Sequence, residues 1–113
     1  MMTEEKNAQV LALLHTLEQT LQELNLWETV APSDAALQSV EPFALDTLQF
    51  NQWLQWIFIP RLGAMAHANI ALPHASGIAA MAEEWLPTQG VDSSELLFIL
   101  HALDTALSTT VID

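Results

Sequence analysis

The chain of 113 residues has 14 acidic and 2 basic side chains, no cysteine, and 51% apolar residues. This length suits one small domain and excludes a dinucleotide-binding domain joined to a substrate domain. The formal charge of −12 comes from missing lysine and arginine rather than from an acidic tail.

The charge and the cysteine count also exclude several classes of function. With Lys6 and Arg61 as its cations, the chain cannot assemble a basic stripe that neutralises several phosphates, so direct binding of nucleic acid is not expected. An anionic membrane surface would be repelled for the same reason. The absence of cysteine excludes thiol catalysis, thiolate metal sites and disulfides. We therefore expect a cytoplasmic protein whose partner surfaces are basic or apolar.

The first predicted element is an amphipathic helix over residues 4–26. Its apolar side chains recur at spacings of three and four, which places them on one face. They are Val10, Leu13, Leu14, Leu17, Leu21 and Leu24. A break follows, with Ser33 or Asp34 as the N-cap of a short turn through Leu37, which Pro42 ends.

The central helix is predicted to start near Leu48 and to be apolar on every side, which is typical of a buried helix. Its large apolar side chains are Phe50, Trp53, Leu54, Trp56, Ile57, Phe58 and Ile59. Pro60 removes one backbone hydrogen bond and predicts a kink or a restart before residues 61–67. Residues 53–72 have about the length of a membrane span, but the central Arg61 favours a buried helix of a soluble protein.

Two more helices are predicted after a loop at residues 69–73. One occupies residues 76–85 and ends before a turn at Gly90. The last begins with Asp92 as N-cap and Glu95 three residues later, which is the spacing of a capping box. Its inner face carries Leu96, Ile99, Leu100, Leu103 and Leu107. The sequence therefore predicts an all-α bundle of four to five helices with a Pro-kinked central helix, in a single domain over residues 1–113.

No pattern of catalytic or metal-binding residues is found. The histidines, His15, His67, His74 and His101, do not have the spacing of a helical zinc site. His101 and Asp104 are three residues apart, which favours a surface contact over a catalytic dyad. The serines lack a nucleophile elbow, and the glycines are too scattered to cradle phosphate. We therefore predict no catalytic residue, no metal site and no cofactor.

The densest unusual cluster is residues 53–61, where Trp53 and Trp56 lie one helical turn apart and Arg61 follows a proline. One interpretation is that the two tryptophans belong to the core. The other is a partly open aromatic groove with Arg61 at its rim, suited to an apolar peptide or to a ligand with an acidic end. Asp46 could pair with Arg61 in either case, so the candidate binding residues are Asp46, Trp53, Trp56 and Arg61.

This cluster also resembles a known family. Residues 41–43, 46–47, 53–62 and 72–73, above all the string W-L-Q-W-x-x-I-P-R at residues 53–61, are similar to the YqcC-like family of small, mostly uncharacterised bacterial proteins. The resemblance covers most of the chain and implies an all-helical single domain. Some members are labelled as a tRNA pseudouridine synthase, which implies an association with tRNA modification.

Pseudouridine synthases have a mixed α/β catalytic domain with a catalytic aspartate and are much larger than this chain. The resemblance therefore implies an accessory partner of the modification machinery and transfers no catalytic residue. The leading hypothesis is a non-enzymatic module that binds a protein through an apolar groove and an acidic surface. The alternatives are a small-molecule binder or minor enzyme that uses the Trp/Arg pocket, and a homodimer formed through the first helix.

Overall fold

The computed structural model describes residues 2–44, 46–68, 72 and 77–108, which form helices and connecting turns with no strand among them. The α-helices are α1 (Met2–Glu23), α2 (Asp34–Leu37), α3 (Phe50–Trp53), α4 (Ile59–His67), α5 (Ile78–Trp85) and α6 (Ser94–Ser108). A π-helical turn, Leu54–Phe58, joins α3 to α4, and 3-10 turns occupy Pro42–Ala44 and Leu86–Gln89. The predicted all-α bundle is confirmed.

The hydrophobic core lies where α1 packs against α4 and α6, with α5 packed on α6. Its most deeply buried large side chains are Val10, Leu17, Leu21, Phe50, Leu54, Ile78, Leu96, Leu100, Leu103 and Leu107. Burying each of them contributes about 1.5–3 kcal/mol, so packing rather than intrinsic helix propensity holds the bundle together. The apolar face predicted for the first helix is thus occupied by the chain's own core.

Backbone geometry fixes the end of α1. Asn25 adopts a left-handed conformation with φ of 61°, which asparagine tolerates better than most residues. The amide N–H of Leu26 donates to the carbonyl of Leu21 at 2.9 Å, and the amide N–H of Asn25 donates to the carbonyl of Gln22 at 3.1 Å. These two bonds form a Schellman motif, so the helix ends at Glu23 rather than continuing to Leu26.

The short helix α2 begins at the predicted cap. The Oγ atom of Ser33 accepts a hydrogen bond from the amide N–H of Ala36 at 3.2 Å. This contact selects Ser33 over Asp34 as the N-cap, and Asp34 instead places its charge in the first turn of the helix.

The central segment, residues 50–67, contains α3, the π turn and α4 in unbroken succession. Pro60 has no amide N–H, and its ring would clash with the carbonyl four residues earlier in a regular α-helix. The turn just before it is wider, with the N–H of Ile59 bonded to the carbonyl of Leu54, five residues back. The structure therefore accommodates Pro60 with a π turn, and the kink itself stays a prediction.

The first turn of α5 is capped by a side chain from α6. The carboxylate of Asp104, on α6, accepts hydrogen bonds from the amide N–H groups of Ile78 at 3.1 Å and Ala79 at 2.9 Å. These are donors that the first turn of a helix leaves without intrahelical partners, and a carboxylate also suits the positive end of the helix dipole. Asp104 therefore fixes α5 to α6.

The start of α6 differs from the predicted capping box by one residue. The Oγ atom of Ser93, not the side chain of Asp92, accepts a hydrogen bond from the amide N–H of Leu96 at 3.1 Å. Because the helix begins at Ser94, Glu95 lies at its second position and cannot complete the predicted box.

Among the described residues, no helix combines the length and the hydropathy needed to cross a bilayer. The helical residues within the apolar stretch 53–72 are included in this finding.

Replacing Asp104 tests the link between α5 and α6. We expect Asp104→Ala to lower the free energy of unfolding by about 1–2 kcal/mol, because two helix N–H groups lose their acceptor. Asp92→Ala is the matched control and should change stability by less than about 0.5 kcal/mol, since Asp92 is exposed. Urea denaturation followed by circular dichroism measures both. Equal stability of the two variants would contradict the assigned cap.

Candidate functional site

Trp53 lies in an aromatic cluster at the edge of the core. Its ring centroid is 4.9 Å from that of Phe43, 6.0 Å from that of Phe50 and 5.1 Å from that of Phe58. The ring of Trp85 extends the cluster, 6.0 Å from that of Phe50. Trp53 is half-buried and packs against the core, so these contacts favour the core interpretation for this residue.

Trp56 and Arg61 have fewer partners than Trp53. Trp56 is half-buried, and its indole N–H is buried with no hydrogen-bond acceptor among the described residues. A buried donor without an acceptor costs about 1–3 kcal/mol. Arg61 is exposed, and no described residue forms an ion pair with it. Residues 47–82 contain neither Asp nor Glu, which explains why no acid on its own segment pairs with Arg61.

Asp46 is engaged away from Arg61. The hydroxyl of Ser39 donates to Oδ1 of Asp46 and accepts from the amide N–H of Glu41 at 3.1 Å. No ion pair joins Asp46 to Arg61, so the predicted pair does not form. Among the four candidate binding residues, no hydrogen bond, ion pair or ring contact joins one to another, and their joint role in binding stays a prediction.

The described histidines, His15, His67 and His101, do not gather into a metal site. His101 contacts Glu83 on α5, with 3.2 Å between Nε2 and Oε1, and both side chains are exposed. The expected contact between His101 and Asp104 is wrong, because the Asp104 carboxylate caps α5. His74 lies outside the described residues. In the described part of the chain, no three His, Asp or Glu side chains lie close enough together to hold a metal ion.

Buried side-chain amides hold the segment between α1 and α2, residues 26–32, which we call the pinned loop. The side-chain amide of Gln55 accepts from the backbone N–H of Glu28 and donates to the backbone carbonyl of Glu28, both at 2.7 Å. Asn51 Nδ2 donates to the carbonyl of Leu26 at 2.9 Å. Gln55 and Asn51 are only 4% and 8% exposed, so these bonds are shielded from water.

A surface depression of about 490 Å³ lies against the pinned loop and is lined by residues 27–32 and by Gln52 of α3. Gln52 Nε2 donates to the two carboxylate oxygens of Glu28, at 3.1 and 3.4 Å. Val30 is 78% exposed. The depression therefore combines an ordered carboxylate with apolar side chains on a loop of fixed conformation.

A strained turn supports the aromatic cluster. Phe43 and Ala44 both have left-handed backbone conformations, with φ of 55° and 50°. For residues other than glycine this costs about 1–2 kcal/mol each. The carbonyl of Ala44 accepts from the amide N–H groups of Thr47 at 3.0 Å and Leu48 at 2.8 Å. These bonds and the contact between the rings of Phe43 and Trp53 offset the strain.

The sequence pattern does not identify Gln55 as the residue that holds this loop, although Gln55 lies inside the W-L-Q-W string. One signal is available, since Asn51 and Gln55 are polar residues four apart in a helical segment whose large side chains are mostly apolar. Amides at such positions need buried hydrogen-bond partners, but the sequence does not say that the partner is the backbone of residues 26–28.

Comparison with known proteins places the chain in a family. A family model described as tRNA pseudouridine synthase C matches residues 9–106. The chain is also similar to the solution NMR structure of protein YqcC from Escherichia coli, with a TM-score of 0.80, 28% identity, and coverage of 96% of this chain and 94% of that one.

Three sequence relatives differ in length. An uncharacterised protein of Haemophilus influenzae is 45% identical over 71 residues, 63% of this chain and 67% of that protein. The uncharacterised protein YqcC of Escherichia coli is 33% identical over 91 residues, 80% of this chain and 84% of that protein. A tRNA pseudouridine synthase C of Pectobacterium carotovorum is 42% identical over 67 residues, 59% of this chain but only 18% of that protein.

Replacing Gln55 tests the anchoring of the loop. We expect Gln55→Leu to lower the free energy of unfolding by about 2 kcal/mol or more, because the backbone N–H and carbonyl of Glu28 both lose their partner. Gln19→Leu, at an exposed position of α1, is the matched control and should change it by less than about 0.5 kcal/mol. Chemical denaturation measures both. A Gln55→Leu variant as stable as the control would contradict this role.

Proposed function

The chain belongs to the YqcC-like family, and on this premise we propose that it is a protein-binding accessory domain that acts with a tRNA pseudouridine synthase. In this role it binds the enzyme and leaves the chemistry to it. Under this proposal the chain is a single domain that acts in the bacterial cytoplasm and takes part in tRNA modification.

The strongest support for this proposal comes from the relative in Pectobacterium carotovorum. Its segment similar to this chain makes up 18% of a longer protein named tRNA pseudouridine synthase C. A segment that is covalently joined to a larger chain in one organism has a high effective concentration near the rest of that chain. A family member that is not joined covalently to a synthase needs a binding surface to reach the same proximity. Physical association with the synthase is therefore the function that this relative supports best.

The charge of the chain supports a protein partner rather than RNA. Exposed acidic side chains are spread over several elements and include Glu23, Asp34, Glu84, Asp92 and Glu95. Enzymes that bind RNA carry basic surfaces that neutralise phosphates. An acidic domain is complementary to such a surface, which accelerates association and orients the two proteins.

Co-purification tests the proposal. We expect the tagged chain to retain the tRNA pseudouridine synthase C of its own organism after ribonuclease treatment, because the contact is between proteins. Raising the salt from about 0.1 M to about 1 M should weaken retention, since the screening length falls from about 10 to about 3 Å. Purified proteins mixed on a sizing column provide the control. Loss of the synthase on ribonuclease treatment, or no retention at low salt, would contradict the proposal.

A second candidate is the binding of a small anionic molecule at Trp56 and Arg61. It is favoured by the indole N–H that lacks an acceptor and by an exposed guanidinium that no described residue pairs. Both groups are donors suited to a carboxylate or phosphate oxygen. Asp46 and Trp53 are engaged in the contacts described above and are not part of this version of the site.

Tryptophan fluorescence distinguishes the second candidate from the first. Inorganic phosphate and simple carboxylates should quench emission in a saturable manner, and Arg61→Ala should abolish the effect without loss of helical circular dichroism, because Arg61 is exposed. Lys6→Ala is the matched control for the loss of one positive charge. Equal titration curves for the two variants would rule out a site at Arg61.

A further inference from the structure

We propose that the pinned loop, residues 26–32, together with Gln52 is the surface on which a basic and apolar segment of the partner protein docks. The inference rests on the proposed function and names the surface and the chemistry through which it operates. Three features carry it: the fixed backbone of the loop, its exposed apolar tip and its uncompensated carboxylate.

The backbone of the loop is fixed before any partner arrives. Gln55 holds both backbone polar groups of Glu28 at 2.7 Å, and Asn51 holds the carbonyl of Leu26 at 2.9 Å. Upstream the Schellman motif at Asn25 ends α1, and downstream Ser33 caps α2. A loop ordered in this way loses little conformational entropy on binding, which is the usual advantage of a preorganised recognition surface.

The tip of the loop presents apolar surface that the fold does not use. Val30 is 78% exposed, whereas Trp27 beside it packs against the core and anchors the loop. Ala31 and Pro32 continue the apolar side of the depression. A partner side chain that is aliphatic or aromatic would bury Val30 and fill this side of the depression.

The charge of the depression indicates which polar side chains of the partner would bind there. Glu28 is the charged residue among those that line it. Its carboxylate is oriented by the neutral amide of Gln52 at 3.1 Å, so the negative charge is held in place, and no described base forms an ion pair with it. A lysine or arginine next to an apolar residue complements this arrangement. A second copy of this chain does not, because both copies carry a formal charge of −12.

Two exposed valines allow a matched test. Val30→Asp places a charge in the docking surface, whereas Val40→Asp makes the same change at a position that is 96% exposed and does not line the depression. Glu28→Gln keeps an oxygen that can accept the Gln52 hydrogen bond but removes the charge, and Glu41→Gln is its exposed counterpart. Binding to the purified tRNA pseudouridine synthase C of the same organism is measured by calorimetry at low and high salt. Circular dichroism and thermal unfolding verify that each variant is folded.

We expect Val30→Asp to weaken binding about tenfold or more, and Val40→Asp to change it by less than about twofold. Glu28→Gln should weaken binding at low salt and reduce its salt dependence, while Glu41→Gln should change neither. Wild-type binding that no variant at residues 28 and 30 weakens would overturn this surface and leave the accessory role intact. Wild-type chain that does not bind the synthase would overturn both proposals. A homodimer of the chain alone that Val30→Asp dissociates would assign the surface to a second copy and overturn it as a docking site for a basic partner.

Discussion

Two hydrogen bonds between the side-chain amide of Gln55 and the backbone of Glu28 fix the loop in which we place the function. Gln55 lies in the π turn before Pro60 and is 4% exposed, yet its amide reaches the N–H and the carbonyl of Glu28. A buried amide requires partners for its donor and its acceptor, and the loop backbone has the complementary pair of groups. This pairing sets the path of the chain from α1 to α2 and the shape of the depression beside it.

The charge of the chain indicates which kind of partner this fixed loop would bind. A chain with 14 acidic and 2 basic side chains repels copies of itself and phosphate backbones, but it attracts basic protein surfaces. Long-range attraction of this kind raises association rates more than it sets affinity. Affinity requires a local surface with apolar contacts and little ordering cost, and the pinned loop has both properties.

The fold could be predicted from the sequence more fully than the site. The spacing of Leu14, Leu17 and Leu21 predicted α1, because a core-facing stripe is a local property of the sequence. The cap of α2 could be narrowed to Ser33 or Asp34 for the same reason, and the hydrogen bond from Ala36 selects Ser33. Asp104 and Gln55 could not be assigned, because their partners are 25 to 27 residues away in sequence and meet them only in the packed bundle. Trp53 is the more conspicuous side chain in the string W-L-Q-W, but Gln55 of the same string forms the hydrogen bonds that hold the loop.

Backbone hydrogen exchange of the free chain and of its complex with the synthase tests the account most directly. In the free chain we expect the amide of Glu28 to be protected, because Gln55 accepts its hydrogen bond, and the amides of Thr29, Val30 and Ala31 to exchange rapidly. In the complex those three amides should become protected while exchange of the amides on α1 and α6 is unchanged. Rapid exchange of Glu28 in the free chain, or new protection confined to other surfaces in the complex, would contradict the account.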